Sequence, residues 1–167
     1  CSQGPMYRIF LKYFMLLTLA SCAVDSAVLG GTSPKSIVAI RVSSAPGIDG
    51  ILTDSVWQSA VPVTGFQQFD PDEGAPATEN TIVRALYDDD ALYVSVMCFD
   101  SDPARIVQQL TRRDRTVQSD RFSVMIDSYH DHTTAFLFSG AVSGVQSDGI
   151  LSQDGRVYDV QWDAAWD

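Results

Sequence analysis

The feature that most constrains the fold of this chain is a pair of strand-forming runs joined by three consecutive aspartates. Residues 82–87 precede Asp88-Asp89-Asp90, and residues 92–99 follow them. Alternate residues of the second run share one face of a strand: Leu92, Val94, Val96 and Cys98. Three adjacent carboxylates repel one another inside a strand, but in a turn they are hydrated, and Asp tolerates the dihedral angles required. The pattern predicts an antiparallel β-hairpin.

The same alternation of short apolar runs and turn residues extends through the chain. Residues 53–60 predict one short helix, with Thr53 or Asp54 as its N-cap and Trp57 on its apolar face. Further strands are predicted at residues 37–42, 66–69, 122–126 and 133–138, and turns at Pro46-Gly47, Asp49-Gly50, Ser139-Gly140, Ser143-Gly144, Asp148-Gly149 and Asp154-Gly155. Strands this short with turns this frequent predict an all-β fold, a two-sheet antiparallel β-sandwich of jelly-roll type.

The N-terminus is typical of an export signal. Arg8 and Lys12 follow Met6, the expected start, and precede an apolar run over residues 13–20 that is too short to anchor in a bilayer. Cleavage has two interpretations, a lipoprotein box that would lipidate Cys22 or an ordinary small-residue site. Both predict an exported protein of the periplasm, outer membrane or extracellular space, attached to a membrane only if Cys22 is lipidated.

Three segments follow from these signals. Residues 1–27 are predicted as pre-sequence and signal peptide, 28–46 as a linker or first strand, and 47–167 as the sandwich. The chain stops at Asp167, directly after Trp162-Asp163-Ala164-Ala165-Trp166, with no terminating signal. This ending predicts an incomplete domain that lacks its last strands and is followed by a downstream region.

The charge balance excludes one class of partner. The 167 residues carry a net charge of −10, and beyond Val42 there are 20 acidic residues, 7 Arg and no Lys, a balance of −13. Such a surface repels phosphate backbones, so nucleic acid is not expected as a partner. Cys98 is the lone cysteine beyond the leader, which predicts no internal disulfide and an inert thiol in a strand.

Several residues are candidates for a binding site. Trp162 and Trp166 flank Asp163 and are candidate carbohydrate-stacking residues, although Trp in a sandwich is more often core. Three carboxylates could supply hard oxygen ligands to Ca²⁺, the one cofactor considered, or could simply be solvated in turns: Asp127, Asp131 and Asp148.

Further residues are candidates for contacts with a transition metal, a following domain or a haem. His130-Asp131-His132 could converge on a transition metal if it lies in a turn. The cluster Arg112, Arg113 and Arg115 is expected to pair with surface acids, or to anchor a following domain. A haem site would need an axial ligand such as Met97 or His130 beside an apolar pocket, which the pattern does not indicate.

Catalytic motifs are missing from the sequence. It contains no G-x-S-x-G, H-E-x-x-H, C-x-x-C or phosphate loop. Most of the acidic residues lie in turns rich in Asp and Gly, where water keeps pKa values near normal, and not among apolar residues that would raise one for acid catalysis. No enzymatic activity is expected of this segment.

Three stretches together carry a family resemblance: Ile48-Asp49-Gly50-Ile51-Leu52-Thr53-Asp54-Ser55-Val56-Trp57, then Leu86-Tyr87-Asp88-Asp89-Asp90-Ala91-Leu92-Tyr93-Val94, then Asp120-Arg121-Phe122-Ser123-Val124-Met125-Ile126-Asp127. This order resembles the family 9 carbohydrate-binding modules, and more closely their relatives at the N-terminus of large exported bacterial proteins of unknown function. The resemblance implies a β-sandwich that binds polysaccharide or sugar ends, with calcium in some members. It leaves open a role of the parent protein in carbohydrate catabolism or glycoside hydrolysis.

The resemblance does not carry over the family's ligand contacts. Where sugar-binding members have a Trp, a Glu, an Arg and an Asn, this chain aligns Val117, Ser123, Leu137 and Ser139. Two hypotheses therefore stand. The domain is a non-catalytic carbohydrate-binding module, or it is a structural or interaction domain that kept the sandwich, lost the sugar site and packs on a downstream region.

Overall fold

The computed structural model describes strand Met6–Leu11 together with residues 36–115 and 118–167. Its strands form two sheets. The first has the order β1-β4-β3-β2, with β1 Met6–Leu11, β2 Ile40–Arg41, β3 Thr81–Tyr87 and β4 Leu92–Cys98. The second has the order β5-β6-β7-β8, with β5 Arg121–Ile126, β6 Ala135–Ala141, β7 Gln146–Ser152 and β8 Val157–Asp159. The predicted all-β sandwich is confirmed.

The predicted hairpin is confirmed as β3 and β4, which pair antiparallel with Tyr87 opposite Leu92. At its tip Asp88 closes the turn, because its carboxylate accepts hydrogen bonds from the amides of Asp90 (2.8 Å) and Ala91 (2.9 Å). It also accepts the Tyr93 hydroxyl at 2.7 Å. Burial and this carboxylate together raise the pKa of Tyr93 to about 12. Only part of the aspartate triplet is therefore simply hydrated, since Asp88 holds the turn.

The segment between β2 and β3 packs against one face of the first sheet. Residues 53–60, predicted as a helix, form a short 3-10 helix at Ser55–Ser59. Its Trp57, 4% exposed, packs with Leu86 of β3 and Tyr93 of β4 in one apolar cluster. Asp54 begins the helix without a side-chain cap; its carboxylate instead accepts the Gly47 amide at 2.6 Å. The order of residues in this stretch thus serves packing.

The register of the second sheet assigns its residues to two faces. One face, called here the covered face, carries Phe122, Val124, Ile126, Phe136, Phe138, Asp148 and Ile150. The opposite face, called here the open face, carries Arg121, Ser123, Met125, Leu137, Ser139, Ser147, Gly149 and Tyr158. Since strand side chains alternate with period two, each strand contributes to both.

Some local predictions were wrong. Ser139-Gly140 lies inside β6 and Asp148-Gly149 inside β7, so neither pair is a turn. The strand predicted at residues 66–69 is reduced to an isolated bridge, Gln67 to Pro76, and the one predicted at residues 37–42 is the two-residue β2. Turn-forming residues were assigned to turns although they lie in strands, because tertiary pairing overrides local propensity.

The N-terminal predictions fall largely outside the described residues. Cys22, predicted as a candidate for lipidation, lies outside them, as do residues 12–27 of the predicted leader and residues 28–35 of the predicted connector. Within the predicted leader, Met6–Leu11 forms β1 and pairs antiparallel with β4. No helix among the described residues has the length and apolar character needed to span a membrane.

Candidate functional site

The two tryptophans predicted as a stacking platform lie on the covered face. Trp166 is 5% exposed, and its ring meets Phe138 edge-on with centroids 5.5 Å apart. Trp162 is half-buried against Phe136 and Phe138, at centroid distances of 4.7 and 5.8 Å. A ring this buried offers almost no surface to a sugar, which corrects the prediction for Trp166. For Trp162, carbohydrate contact through its remaining surface stays a prediction.

Asp148 explains why the C-terminal segment is held against this face. The side chain is fully buried, and both of its carboxylate oxygens are occupied. Oδ1 accepts hydrogen bonds from Arg113 Nη2 (2.5 Å) and Trp166 Nε1 (3.1 Å), and Oδ2 accepts the Ala164 amide (2.7 Å). Arg113 also donates to the Ala164 carbonyl at 2.9 Å. A buried charge needs such partners, so this network is a structural clamp.

The calcium site predicted at Asp127, Asp131 and Asp148 is not assembled, because Asp148 lies in a strand with its oxygens already occupied. Asp127 instead accepts the His132 amide at 2.8 Å, and Asp131 accepts the Thr134 amide and hydroxyl, each at 2.7 Å. Hydrogen bonds of this kind lower the pKa of both carboxyls. They order the loop between β5 and β6.

The histidines of this loop lie close together, with ring centroids 4.8 Å apart for His130 and His132. Among the residues described, however, no group of three or more His, Cys, Asp or Glu side chains is placed to hold a metal ion. At the predicted transition-metal site the structure therefore brings together the rings of His130 and His132, with no third ligand beside them among the described residues.

The open face presents a row of hydroxyls across three strands. Ser123, Ser139 and Ser147 are direct neighbours in the register of β5, β6 and β7. The Ser123 hydroxyl donates to Ser139 Oγ at 2.9 Å, and Ser139 is itself buried. Leu137 lies on the same face, one row further along β6. The row offers hydroxyl donors and acceptors next to an apolar side chain.

Tyr158 in β8 forms an aromatic wall beside this row. Its ring lies over Gly149, where an added Cβ would come within 2.4 Å of Tyr158 Cε2 and 2.6 Å of the Asp159 carbonyl oxygen. Gly149 thus allows the ring to approach the backbone of β7 closely. Tyr158 nevertheless remains 42% exposed, and its hydroxyl donates to the Asp148 carbonyl at 3.2 Å. Burial, followed by the charges of Asp114 and Asp148, raises its pKa.

These groups enclose a concavity of about 90 Å³ on the open face. Its lining consists of Asp114, Arg115, Arg121, Ser123, Leu137, Ser139, Ser147, Tyr158 and Val160. Three of the four positions aligned with the family's sugar contacts, Ser123, Leu137 and Ser139, therefore meet in one place. The fourth, Val117, lies outside the described residues.

The chemistry of this lining suits recognition better than catalysis. An aromatic ring can stack on a pyranose face, and hydroxyl and guanidinium groups can bond sugar hydroxyls. Glycoside hydrolysis needs two facing carboxylates, whereas Asp114 is the only one among the described lining residues. Asp114 is also engaged, since its Oδ1 accepts the Asp148 amide at 3.1 Å.

Sequence reasoning missed Tyr158 and both lining arginines. The available signal was Gly149 followed by Ile150 and Leu151, because a glycine within a strand often marks the close approach of another group. It was read as a turn glycine instead. Arg115 was noticed only as part of a surface cluster, and nothing local indicated that Arg121 would join it.

The structure shows a β-sandwich domain whose second sheet carries a concavity lined by hydroxyl, guanidinium and aromatic groups. Residues 48–142, more than half of the chain, match the family described as carbohydrate family 9 binding domain-like. The chain belongs to this family, which indicates carbohydrate binding as its class of function. The search of curated proteins and the search of solved structures both returned no match.

The matched range divides the concavity. It includes Ser123, Leu137 and Ser139, but it ends before β7 and β8. Tyr158 and Gly149 therefore belong to a part of the site that the family match does not cover.

Proposed function

We propose that this domain is the carbohydrate-binding module of a secreted or cell-envelope bacterial protein, and that it binds a polysaccharide or a sugar end in the concavity of the open face. The observation that carries the proposal is that Ser123 of β5 meets Leu137 and Ser139 of β6 in one concavity. Family membership gives the ligand class, and the lining supports the location.

The site works with a residue set that differs from the family's. Tyr158 supplies the flat apolar surface, and its support by Gly149 keeps the ring in place before the ligand arrives. The serine row and the arginines supply polar contacts around it. A site preorganised in this way loses little side-chain entropy on binding.

The direct test is binding of the full-length chain to a glycan array, followed by titration of each hit by calorimetry. Tyr158→Ala should weaken binding by about tenfold, in line with about 1.4 kcal/mol for one lost stacking contact. Tyr129→Ala is the matched control, because Tyr129 is 65% exposed and absent from the lining of the concavity. Equal affinity of both variants would mean that the binding site does not include Tyr158.

A second candidate function rests on the bond between Ser123 and Ser139. Because the Ser123 hydroxyl is already donated at 2.9 Å, and Leu137 is apolar, the middle of the concavity has fewer groups available for a sugar. This favours a structural or interaction domain that docks on a downstream region. It predicts no glycan binding, and a rise in stability when the domain is expressed together with that region.

A further inference from the structure

The arginines at the concavity carry information about the ligand beyond its being a sugar. Residues 43–167 carry a net charge of −13. Four of their seven arginines lie between residues 112 and 121. Two of them, Arg115 and Arg121, line the concavity. Two arginines in one concavity are notable in so acidic a protein, because solubility alone does not require positive charge there.

The two arginines reach the concavity from different elements. Arg121 opens β5 on the same face as Ser123. Arg115 comes from a turn closed by its amide, which donates to the Arg112 carbonyl at 3.2 Å. That turn is fixed to β7, because the Asp114 amide donates to the Gln146 carbonyl at 3.2 Å and Asp114 Oδ1 accepts the Asp148 amide at 3.1 Å. The fold therefore holds Arg115 beside the sheet.

The one carboxylate of the lining does not cancel this charge by itself. Asp114 Oδ2 lies 3.6 Å from Arg113 Nε, outside the set of lining residues, so part of its charge is balanced from behind. Arg115 and Arg121 thus line the concavity together with one carboxylate, the only one among the described lining residues, which also lies near Arg113. Guanidinium forks match planar anionic groups through paired charge-assisted hydrogen bonds.

We propose that this site, if it binds carbohydrate as argued above, selects saccharides that carry an anionic substituent, a carboxylate or a sulfate, beside the ring stacked on Tyr158. The anion lies between Arg115 and Arg121, and the sugar hydroxyls face the serine row. Long-range repulsion by the acidic chain disfavours weak, nonspecific attachment of polyanions, so selection depends on short-range contact at this point.

The experiment compares ligands that differ only in charge. The full-length chain is titrated with an oligogalacturonate, with its methyl ester, and with a sulfated and an unsulfated galacto-oligosaccharide of equal length. We expect each anionic ligand to bind about tenfold more tightly than its neutral partner, which corresponds to about 1.4 kcal/mol. The carboxylate and sulfate pairs show which anion is preferred, and preference for either one supports the proposal.

Variants assign the effect to the two side chains. Arg115→Gln combined with Arg121→Gln should remove the preference, so that each anionic ligand and its neutral partner bind with affinities within about twofold of each other. Arg156→Gln and Arg105→Gln together make the matched control, with the same change in charge at residues absent from the lining. Equal loss in the control pair overturns the proposal, because it would indicate a general effect of net charge.

The outcomes separate this inference from the function on which it rests. Binding of neutral and anionic ligands with equal affinity overturns the inference and leaves carbohydrate binding intact. Binding of none of the four ligands, together with a blank glycan array, overturns both. Binding about tenfold weaker in Tyr158→Ala, with selectivity lost only in the arginine pair, supports both.

Discussion

The two faces of the β5–β8 sheet show how one set of strands serves two purposes. The covered face is apolar and closed by Trp166, with Asp148 fixing the closing segment. The open face carries hydroxyls, Arg121 and a partly exposed tyrosine, with Arg115 beside it. Neighbours in sequence, such as Leu137 and Phe138, belong to opposite faces. Stability and recognition can therefore be altered separately by substitutions one residue apart.

The largest expected effect comes from Phe138→Ala, because Phe138 is 1% exposed and contacts both Trp162 and Trp166. Urea unfolding should show a loss of about 3–5 kcal/mol. Leu137→Ala, on the half-buried open face, should cost about 1 kcal/mol because less apolar surface is lost from the interior. Similar losses for the two variants would mean that the two faces do not differ in what they contribute to stability.

The next effect comes from Asp148→Ala, which removes the acceptor for Arg113, Trp166 and the Ala164 amide. Leaving these groups unpaired should cost about 3 kcal/mol in chemical unfolding and increase the accessibility of Trp166 to a fluorescence quencher. Asp163→Ala is the control, since its side chain is 75% exposed and should cost less than about 1 kcal/mol. A quencher-protected Trp166 in Asp148→Ala would argue against the clamp.

Gly149→Ala connects the two faces, because the new methyl would collide with Tyr158 and the Asp159 carbonyl. The expected loss of stability is about 1–3 kcal/mol, accompanied by weaker glycan binding as the ring is displaced. Gly140→Ala is the control: an added Cβ there meets nothing within 4 Å. Unchanged glycan affinity in Gly149→Ala would show that the position of Tyr158 does not matter.

The smallest expected effect is the pH dependence of stability that comes from Asp88, at the hairpin tip of the first sheet. Burial alone would raise the pKa of Asp88, but the hydrogen bonds from Tyr93, Asp90 and Ala91 lower it below the ordinary 3.8. A carboxyl whose pKa is lower in the folded state contributes stability above the unfolded value and loses it as pH falls toward the folded value. The contribution should be below about 1 kcal/mol because the turn is near the surface.

The stability gap between the wild type and Asp88→Asn tests this sign. Urea unfolding at several pH values should show a gap that is constant above pH 5 and shrinks as pH falls below 3.8, the ordinary value for Asp88. A gap that grows on acidification would contradict the assigned direction.

Comparing prediction and structure shows which information is local. The hairpin around Asp88 follows from alternation and turn chemistry, both of which act within a few residues. The strand containing Asp148 and Gly149 was read as a turn, because its residues make sense only against Arg113, Trp166 and Tyr158, which lie far away in sequence.

The candidate site follows the same rule. The alignment indicated Ser123, Leu137 and Ser139 but gave no sign that they share a concavity with Arg115 and Tyr158. The sequence indicated Trp162 and Trp166 as the stacking aromatics. Trp166 belongs to the core instead, because it packs on the apolar face of the sheet. Burial depends on the whole fold, so exposure of a tryptophan could not be derived from its local sequence.

The central claim is that the open face, and not the tryptophan segment, binds saccharide. Amide chemical-shift mapping of the full-length chain during titration with an array-selected oligosaccharide tests it most directly. Shifts concentrated at Ser123, Leu137, Ser139 and Tyr158, with Trp162 and Trp166 unchanged, are the predicted result. Shifts centred on Trp162 and Trp166, with the open face silent, would contradict it.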